Sequence, residues 1–159
     1  MITGQLVKPV AGSILEAITV RKHRVVADQA VELVVNGTFN TGVDGWIAAN
    51  RASLTWNAGR AVISHTDSAN PYARQSVTVE IGKTYRFRCK TFANGLANSV
   101  RVGSTPGGGN VYNSPTVTTD QVIDVTFTAA ATPLYISILN FTAVGAGSIE
   151  IDDVSLQEV

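Results

Sequence analysis

The run Thr84–Phe92, T-Y-R-F-R-C-K-T-F, holds the residues best suited to chemistry. Side chains along a strand change face at every residue. Tyr85, Phe87 and Cys89 therefore share one face, and Arg86, Arg88 and Lys90 share the other with Phe92. The first set reads as core. The second is a basic row, and guanidinium forks match carboxylate and phosphate groups while aromatic faces suit the CH faces of sugar rings. A competing use exists for the same row. Residues 81–119 carry five basic side chains and no acid, whereas residues 120–159 carry six acids and no Lys or Arg. Cross-strand pairing, for instance with Asp124 or Glu150, would consume the row as surface salt bridges. Both readings stand at this level.

Other chemistry fails on spacing. Asp152 and Asp153 are neighbours on a strand, point opposite ways and make no acid–base dyad. His23 and His65 have no ligand spacing around them, and a lone Cys89 on an apolar face packs as core. Pro106-Gly107-Gly108-Gly109 lacks the Lys and Ser/Thr that must follow in a phosphate loop. Asn36-Gly37-Thr38 and Asn140-Phe141-Thr142 match glycosylation acceptors in form only. No Ser/His/Asp arrangement emerges, so no enzymatic activity is expected.

Composition narrows the class. A chain of 159 residues is one domain's worth and can bury a core unaided. Hydrophobic residues make up 45% and charged ones only 15%, with 14 glycines and many Val, Thr and Ile, a profile that suits an all-β domain. A single cysteine makes no internal disulfide. Zero net charge argues against general nucleic-acid binding, and no apolar run reaches the eighteen or so residues of a membrane span. Lys8, Pro9 and Glu16 break up the N-terminus, which does not read as a signal peptide. With residue 1 as the start, the chain is expected to stay in the cytoplasm where it is made, or to leave it within a particle.

The elements that position these residues are short strands. Val31–Trp46 reads as a strand, a turn at Asn36-Gly37 and a second turn closing on Trp46. Ala52–Trp56 and Arg60–His65 form a hairpin across Asn57-Ala58-Gly59, and Tyr72–Val79 follows. Glu80-Ile81-Gly82-Lys83 turns the chain into Thr84–Ala93, and Ser99–Gly103, Thr116–Asp120, Gln121–Thr128 and Leu134–Asn140 continue the series. Gly147–Glu158 closes the chain, with Ile149, Ile151 and Asp153 expected on one face and Glu150, Asp152 and Val154 on the other. About ten strands with turns between them imply a two-sheet antiparallel β-sandwich. Residues 1–30 read as an N-terminal hairpin or extended arm, with Arg21, Lys22 and Arg24 suited either to gripping an acidic partner or to lying solvated.

The opening V-N-G-T-F-N-T-G-V-D-G-W, the string Q-S-V-T-V-E-I-G-K-T-Y-R-F-R-C-K and the closing I-D-D-V-S-L fall in an order that resembles non-catalytic carbohydrate-binding modules of the jelly-roll type, families four, nine and twenty-two. The resemblance spans about residues 31–159. It implies a packed Trp46, chain ends lying side by side, and a concave groove under the alternate face of Thr84–Phe92. That groove would gather Arg86, Arg88, Lys90 and Phe92 with Arg74 and Tyr72 from the preceding strand, and Trp56 and Tyr112 as loop platforms. A basic groove favours an anionic surface glycan over neutral cellulose or xylan. The resembled modules commonly hold a structural calcium; here Asp152 matches the closing acid, while Thr38 and Asn40 stand where acids are usual, which weakens a hard-cation site. No other cofactor is implied. Residues 1–20 are similar to the openings of bacteriophage tail-fibre and virion proteins. The resulting expectation is an oligomeric virion accessory, in capsid decoration or tail, docked to other virion proteins through residues 1–30. The alternatives are a purely structural virion protein, or a secreted accessory module of a polysaccharide-degrading enzyme.

Overall fold

Strands form where the period-two runs predict them. The computed structural model describes residues 30–65, 70–141 and 147–159. Residues 1–29, most of the segment expected to serve as an arm and including the Arg21-Lys22-His23-Arg24 cluster, lie outside the described residues. The strands are β1 (Ile47–Ala49), β2 (Ala52–Asn57), β3 (Arg60–His65), β4 (Tyr72–Val77), β5 (Thr84–Phe92), β6 (Asn98–Gly103), β7 (Tyr112–Asn113), β8 (Gln121–Thr128), β9 (Leu134–Asn140) and β10 (Ser148–Glu158). They make two five-stranded sheets, ordered β2-β3-β10-β5-β8 and β1-β4-β9-β6-β7. All the pairings are antiparallel, and the fold is an all-β sandwich with no helix among the described residues. We call the layers the β10 sheet and the β9 sheet.

Local turn chemistry explains the sharp connections. Ala58 and Gly59 take φ of 47° and 87°, the pair of positive values that a two-residue hairpin turn needs to match strand twist. Gly82 takes φ of 88°, and the Lys83 N–H donates to the Glu80 carbonyl at 3.3 Å, closing the four-residue turn that launches β5.

The core fills the space between the sheets. Phe39, Ile63, Phe87, Ile136, Ile138 and Ile151 have no accessible surface. Each such side chain contributes about 1.5–3 kcal/mol relative to exposure. Trp46 is buried and stacks on Phe39 with ring centroids 5.4 Å apart, as the resemblance implied. At one end the fully buried Asn98 side chain ties both layers together. Its Oδ1 accepts from the Thr91 hydroxyl (2.9 Å) and the Gln121 amide (2.7 Å), and its Nδ2 donates to the Val117 and Thr119 carbonyls. A buried amide needs all of these partners to offset its desolvation.

The closing strand departs from simple alternation. Ile149, Ile151, Val154 and Leu156 are all buried, so the inward set shifts parity after Asp152. A bulge between Asp152 and Ser155, with Asp153 at φ 50°, inserts one residue and re-aims the rest. Val154 therefore faces the core and Asp153 faces solvent, the reverse of the expected assignment. The opening segment lies against the same half of the strand. Leu33 donates to the Leu156 carbonyl (3.0 Å), Val154 donates to the Gly37 carbonyl (2.9 Å), and Glu32 bridges to Gln157. The chain ends meet as expected, though residues 31–46 do so through one isolated bridge and turns rather than a full strand. Thr116–Asp120 likewise reduces to a single bridge between Asn98 and Val117, and the short strands β1 and β7 were not anticipated.

Candidate functional site

β5 is the centre of charge on the outward face of the β10 sheet. Tyr85, Phe87 and Cys89 are buried, and Arg86, Arg88 and Lys90 face outward, as alternation requires. The row is committed to acids. Arg86 forms a bidentate pair with Asp124 on β8, its Nε donating to Oδ1 at 2.6 Å. Arg88 lies 3.8 Å from the same carboxylate, and Lys90 reaches Asp153 at 2.7 Å. Hydrogen bonding from Arg86 holds the Asp124 carboxyl below its ordinary range, and the carboxylate partners push Arg86 and Lys90 up. Glu150 serves Arg60 (2.8 Å) rather than the row, and the Arg60 guanidinium covers the Phe92 ring at 3.6 Å. Of the two uses open in the sequence, ion pairing is the one the geometry realises.

Arg74 and Tyr72 do not join this row. They sit on β4, which pairs with β9, so they face outward from the opposite layer. The eight residues grouped in one groove are thus divided between two faces and the interior. Strand β4 precedes β5 in sequence, but the chain crosses between sheets at Glu80–Lys83, and sequence neighbours cease to be spatial neighbours.

Tyr112 and Trp56 are not open platforms on either face. Tyr112 points inward against Phe87 (centroids 6.4 Å apart), and burial raises its phenol pKa. Trp56 lies on the inward side of edge strand β2, 46% exposed, with its indole N–H donated to the Phe39 carbonyl.

The outward face of the β9 sheet is chemically different. Its registers align Ile47, Arg74, Ser137, Arg101 and Asn113 in one row across the five strands. Ala49, Tyr72, Leu139 and Ser99 form the next row. The Arg74 guanidinium lies 5.8 Å from the Tyr135 ring centroid, and that of Arg101 lies 5.4 Å from Phe141. The Thr105–Asn110 loop folds across one side. Gly107 donates to the buried Ser137 hydroxyl (3.0 Å), its carbonyl accepts from Arg101 (3.1 Å), and a Cβ in place of its hydrogen would lie 3.5 Å from the Tyr72 ring. No Asp or Glu occurs anywhere in the five strands of this sheet. Arg101, Tyr135 and Phe141 were not singled out from the sequence. The signal was available in the alternation of L-Y-I-S-I-L-N and in the lack of acids across these runs.

A groove of about 530 Å³ lies over the bulge on the β10 sheet, lined in part by Glu32, Thr38, Lys90, Asp124 and Asp153. Glu32 accepts from the Leu156 N–H (2.8 Å) and the Ser155 hydroxyl (2.6 Å), so its carboxylate, like those of Asp124 and Asp153, is engaged. The residues expected around calcium lie nearby in sequence terms. Asp152 accepts the Asp153 N–H (2.7 Å), and burial raises its carboxyl pKa. The Asn40 amide nitrogen donates to the Thr38 hydroxyl at 3.0 Å. Among the described residues no three His, Cys, Asp or Glu side chains gather as a metal would require. Calcium takes six or more oxygens, so a site at Asp152 would draw mainly on backbone carbonyls.

The architecture is that of the jelly-roll carbohydrate-binding modules. The N-terminal cellulose-binding domain of a Cellulomonas fimi β-1,4-glucanase superposes with a TM-score of 0.63 at 21% identity, covering 81% of this chain and 98% of that one. Several other carbohydrate-binding modules match at TM-scores of 0.56 to 0.59, one of them in complex with β-1,4-galactotriose. The enzymatically active domain of a tailspike protein of bacteriophage CBA120 matches at a TM-score of 0.61 and 17% identity, over 81% of this chain and 22% of that one. A cyclase from Fischerella sp. TAU shares the fold at a TM-score of 0.53 and 14% identity, over 82% of this chain and 98% of that one. No protein-family model matches the sequence, and neither does any curated protein.

Proposed function

We propose that this chain is a non-catalytic module that binds glycan across the outward face of the β9 sheet. One observation carries the reading. The β10 sheet spends its charges on itself, whereas the β9 sheet presents Tyr72, Tyr135 and Phe141 beside arginines whose own strands carry no acid. Aromatic rings stack on sugar CH faces, and guanidinium and amide groups hydrogen-bond hydroxyls. The cellulose-binding and galactotriose-bound neighbours support the assignment at the level of fold. Absence of catalysis is part of the proposal. Acid–base chemistry on a glycan needs two carboxyls set apart across the substrate, one of them held up; Asp152 is raised by burial but accepts the Asp153 N–H, and Asp124 is pulled down by Arg86.

The module's setting, in this reading, is a bacteriophage virion, as capsid decoration or tail, with residues 1–30 as the docking arm. The tailspike match and the similarity of residues 1–20 to tail-fibre openings support it. Repetition on a particle would multiply a weak single-site affinity, so a homo-oligomer is expected. A glycan array probed with the wild-type chain and with Tyr72→Ala and Tyr135→Ala tests the binding role. Signal that disappears in both variants is expected, and no signal at any salt concentration would refute it.

A second reading, an assembly brick that binds only proteins, is favoured by the aromatic exposure. Among the described residues Trp56 is the one aromatic that is largely exposed, and it lies on neither sheet's outward row. Immunogold labelling of native particles distinguishes a virion setting from a secreted one.

A further inference from the structure

Arg74 and Arg101 occupy equivalent positions on the two strands that flank β9. Both pair with Ser137, so their Cα atoms are two strand spacings apart, about 10 Å, and their side chains leave the same face. Each guanidinium is set against a ring, Tyr135 for Arg74 and Phe141 for Arg101. A cation–π contact of this kind holds the guanidinium near the ring while leaving N–H groups to bind something else. Arg101 is held further, donating to Asn113 Oδ1 and the Gly107 carbonyl, both at 3.1 Å. Arg74 makes no hydrogen bond or ion pair among the described residues.

The contrast with the other layer is what gives this meaning. Arg60, Arg86 and Lys90 on the β10 sheet each meet a carboxylate at 2.8 Å or closer, and Arg88 meets one at 3.8 Å. The β9 sheet offers no carboxylate to satisfy its two forks. Nor does the Ser104–Val111 segment that folds over it contain an acid. Two guanidiniums held against rings, with no counter-charge in the strands of their sheet or in the Ser104–Val111 segment, match an external oxyanion.

Resting on the glycan reading above, we infer that this face selects acidic glycans, with Arg74 and Arg101 taking carboxylates on successive parts of one polysaccharide chain while the rings receive its sugar faces. This moves anion recognition from the β5 row to the opposite layer. It also predicts a preference that the neutral-polymer binders sharing the fold would not show.

The test uses the full chain and paired probes differing only in charge: polygalacturonate against its methyl ester, with alginate and hyaluronan as further acids and xylan and laminarin as further neutral polymers. Dextran sulfate separates carboxylate reading from general anion attraction. Affinity electrophoresis or calorimetry should show an acid bound at least tenfold tighter than its neutral counterpart. Arg74→Ala or Arg101→Ala should cost about tenfold on the acid, the lower end for a charge-assisted hydrogen bond, with little change on the ester. Arg74→Lys, which keeps the charge and loses the fork, should recover only part of the loss. Arg86→Ala with Arg88→Ala should leave selectivity intact. Equal binding of acid and ester overturns the inference and leaves the glycan reading standing. Selectivity lost with Arg86 and Arg88 instead overturns the placement, and tighter binding of dextran sulfate than of every polyuronate overturns the carboxylate assignment. No binding to any polymer overturns both readings together.

Discussion

Gly37→Ala tests how the chain ends hold the sandwich together. Gly37 is not in a left-handed conformation, so its need for glycine is purely steric. A Cβ at this position would meet the Val154 carbonyl carbon at 2.9 Å and Val34 Cγ1 at 3.0 Å, with the Val154 oxygen nearer still. Ordinary Cβ contacts begin near 3.4 Å, so backbone must move away from backbone by at least half an ångström. Overpacking of this kind costs about 1–3 kcal/mol. Moving the two backbones apart also strains the bond from the Val154 N–H to the Gly37 carbonyl (2.9 Å), which contributes about 1 kcal/mol. Together these give a loss of about 3 kcal/mol. For a domain of this size each kcal/mol lowers Tm by roughly 4 °C, so the variant should melt about 12 °C below wild type. Thermal unfolding followed by far-UV circular dichroism measures it, with chemical denaturation as a check on the slope. A Tm within about 3 °C of wild type would show that the opening segment can lift from β10 at little cost, and the reasoning would fail.

Asp124 and Asp152 should respond to neutralisation with opposite signs. Arg86 lowers the Asp124 pKa, so its contribution is present above the unfolded value of 3.8 and fades as pH falls through the lower folded value. Burial raises the Asp152 pKa, so stability falls as pH rises from 3.8 through the raised folded value. Asp124→Asn should therefore lower Tm slightly at neutral pH, and Asp152→Asn, which keeps an oxygen for the Asp153 N–H, should raise it; shifts of the same sign would contradict the assignment. Cys89 is buried, and burial together with Asp152 and Asp153 pushes its thiol well up. A thiol reagent should label it only at the rate of unfolding. Calcium and a chelator should leave the melting curve unmoved, because Asp153 is paired with Lys90 and Asp152 with a backbone N–H; a rise of several degrees with calcium would reopen a cation site there.

What the sequence made legible was local. The hairpin across Ala58-Gly59, the turn at Gly82 and the alternation of β5 each depend on a few consecutive residues, and each stands as read. Burial of Trp46 and the meeting of the ends came from the resemblance and hold as well. The composition of the site was harder to see. Whether Arg88 faces Asp124 or a ligand depends on which strand lies beside β5, and that strand begins about thirty residues later. Arg74 and Arg86 are twelve residues apart with a single turn between them, yet that turn carries the chain to the other layer. The parity change at Asp153 was invisible for another reason. Isoleucine, aspartate and valine follow one another without any mark of the inserted residue, and only the burial of Val154 reveals it.

That inserted residue has a further consequence. Upstream of it, β10 is flanked by β3 and β5; downstream, β5 remains but β3 has ended, and the opening segment lies in its place. Residues 32–37 therefore act as an edge guard for an interior strand. If they peel away, Val154–Glu158 is left with a row of unpaired donors and acceptors, the kind of template on which a second chain adds by strand exchange. Proteolytic trimming just before Gly37 should thus be read out as self-association before it is read out as unfolding.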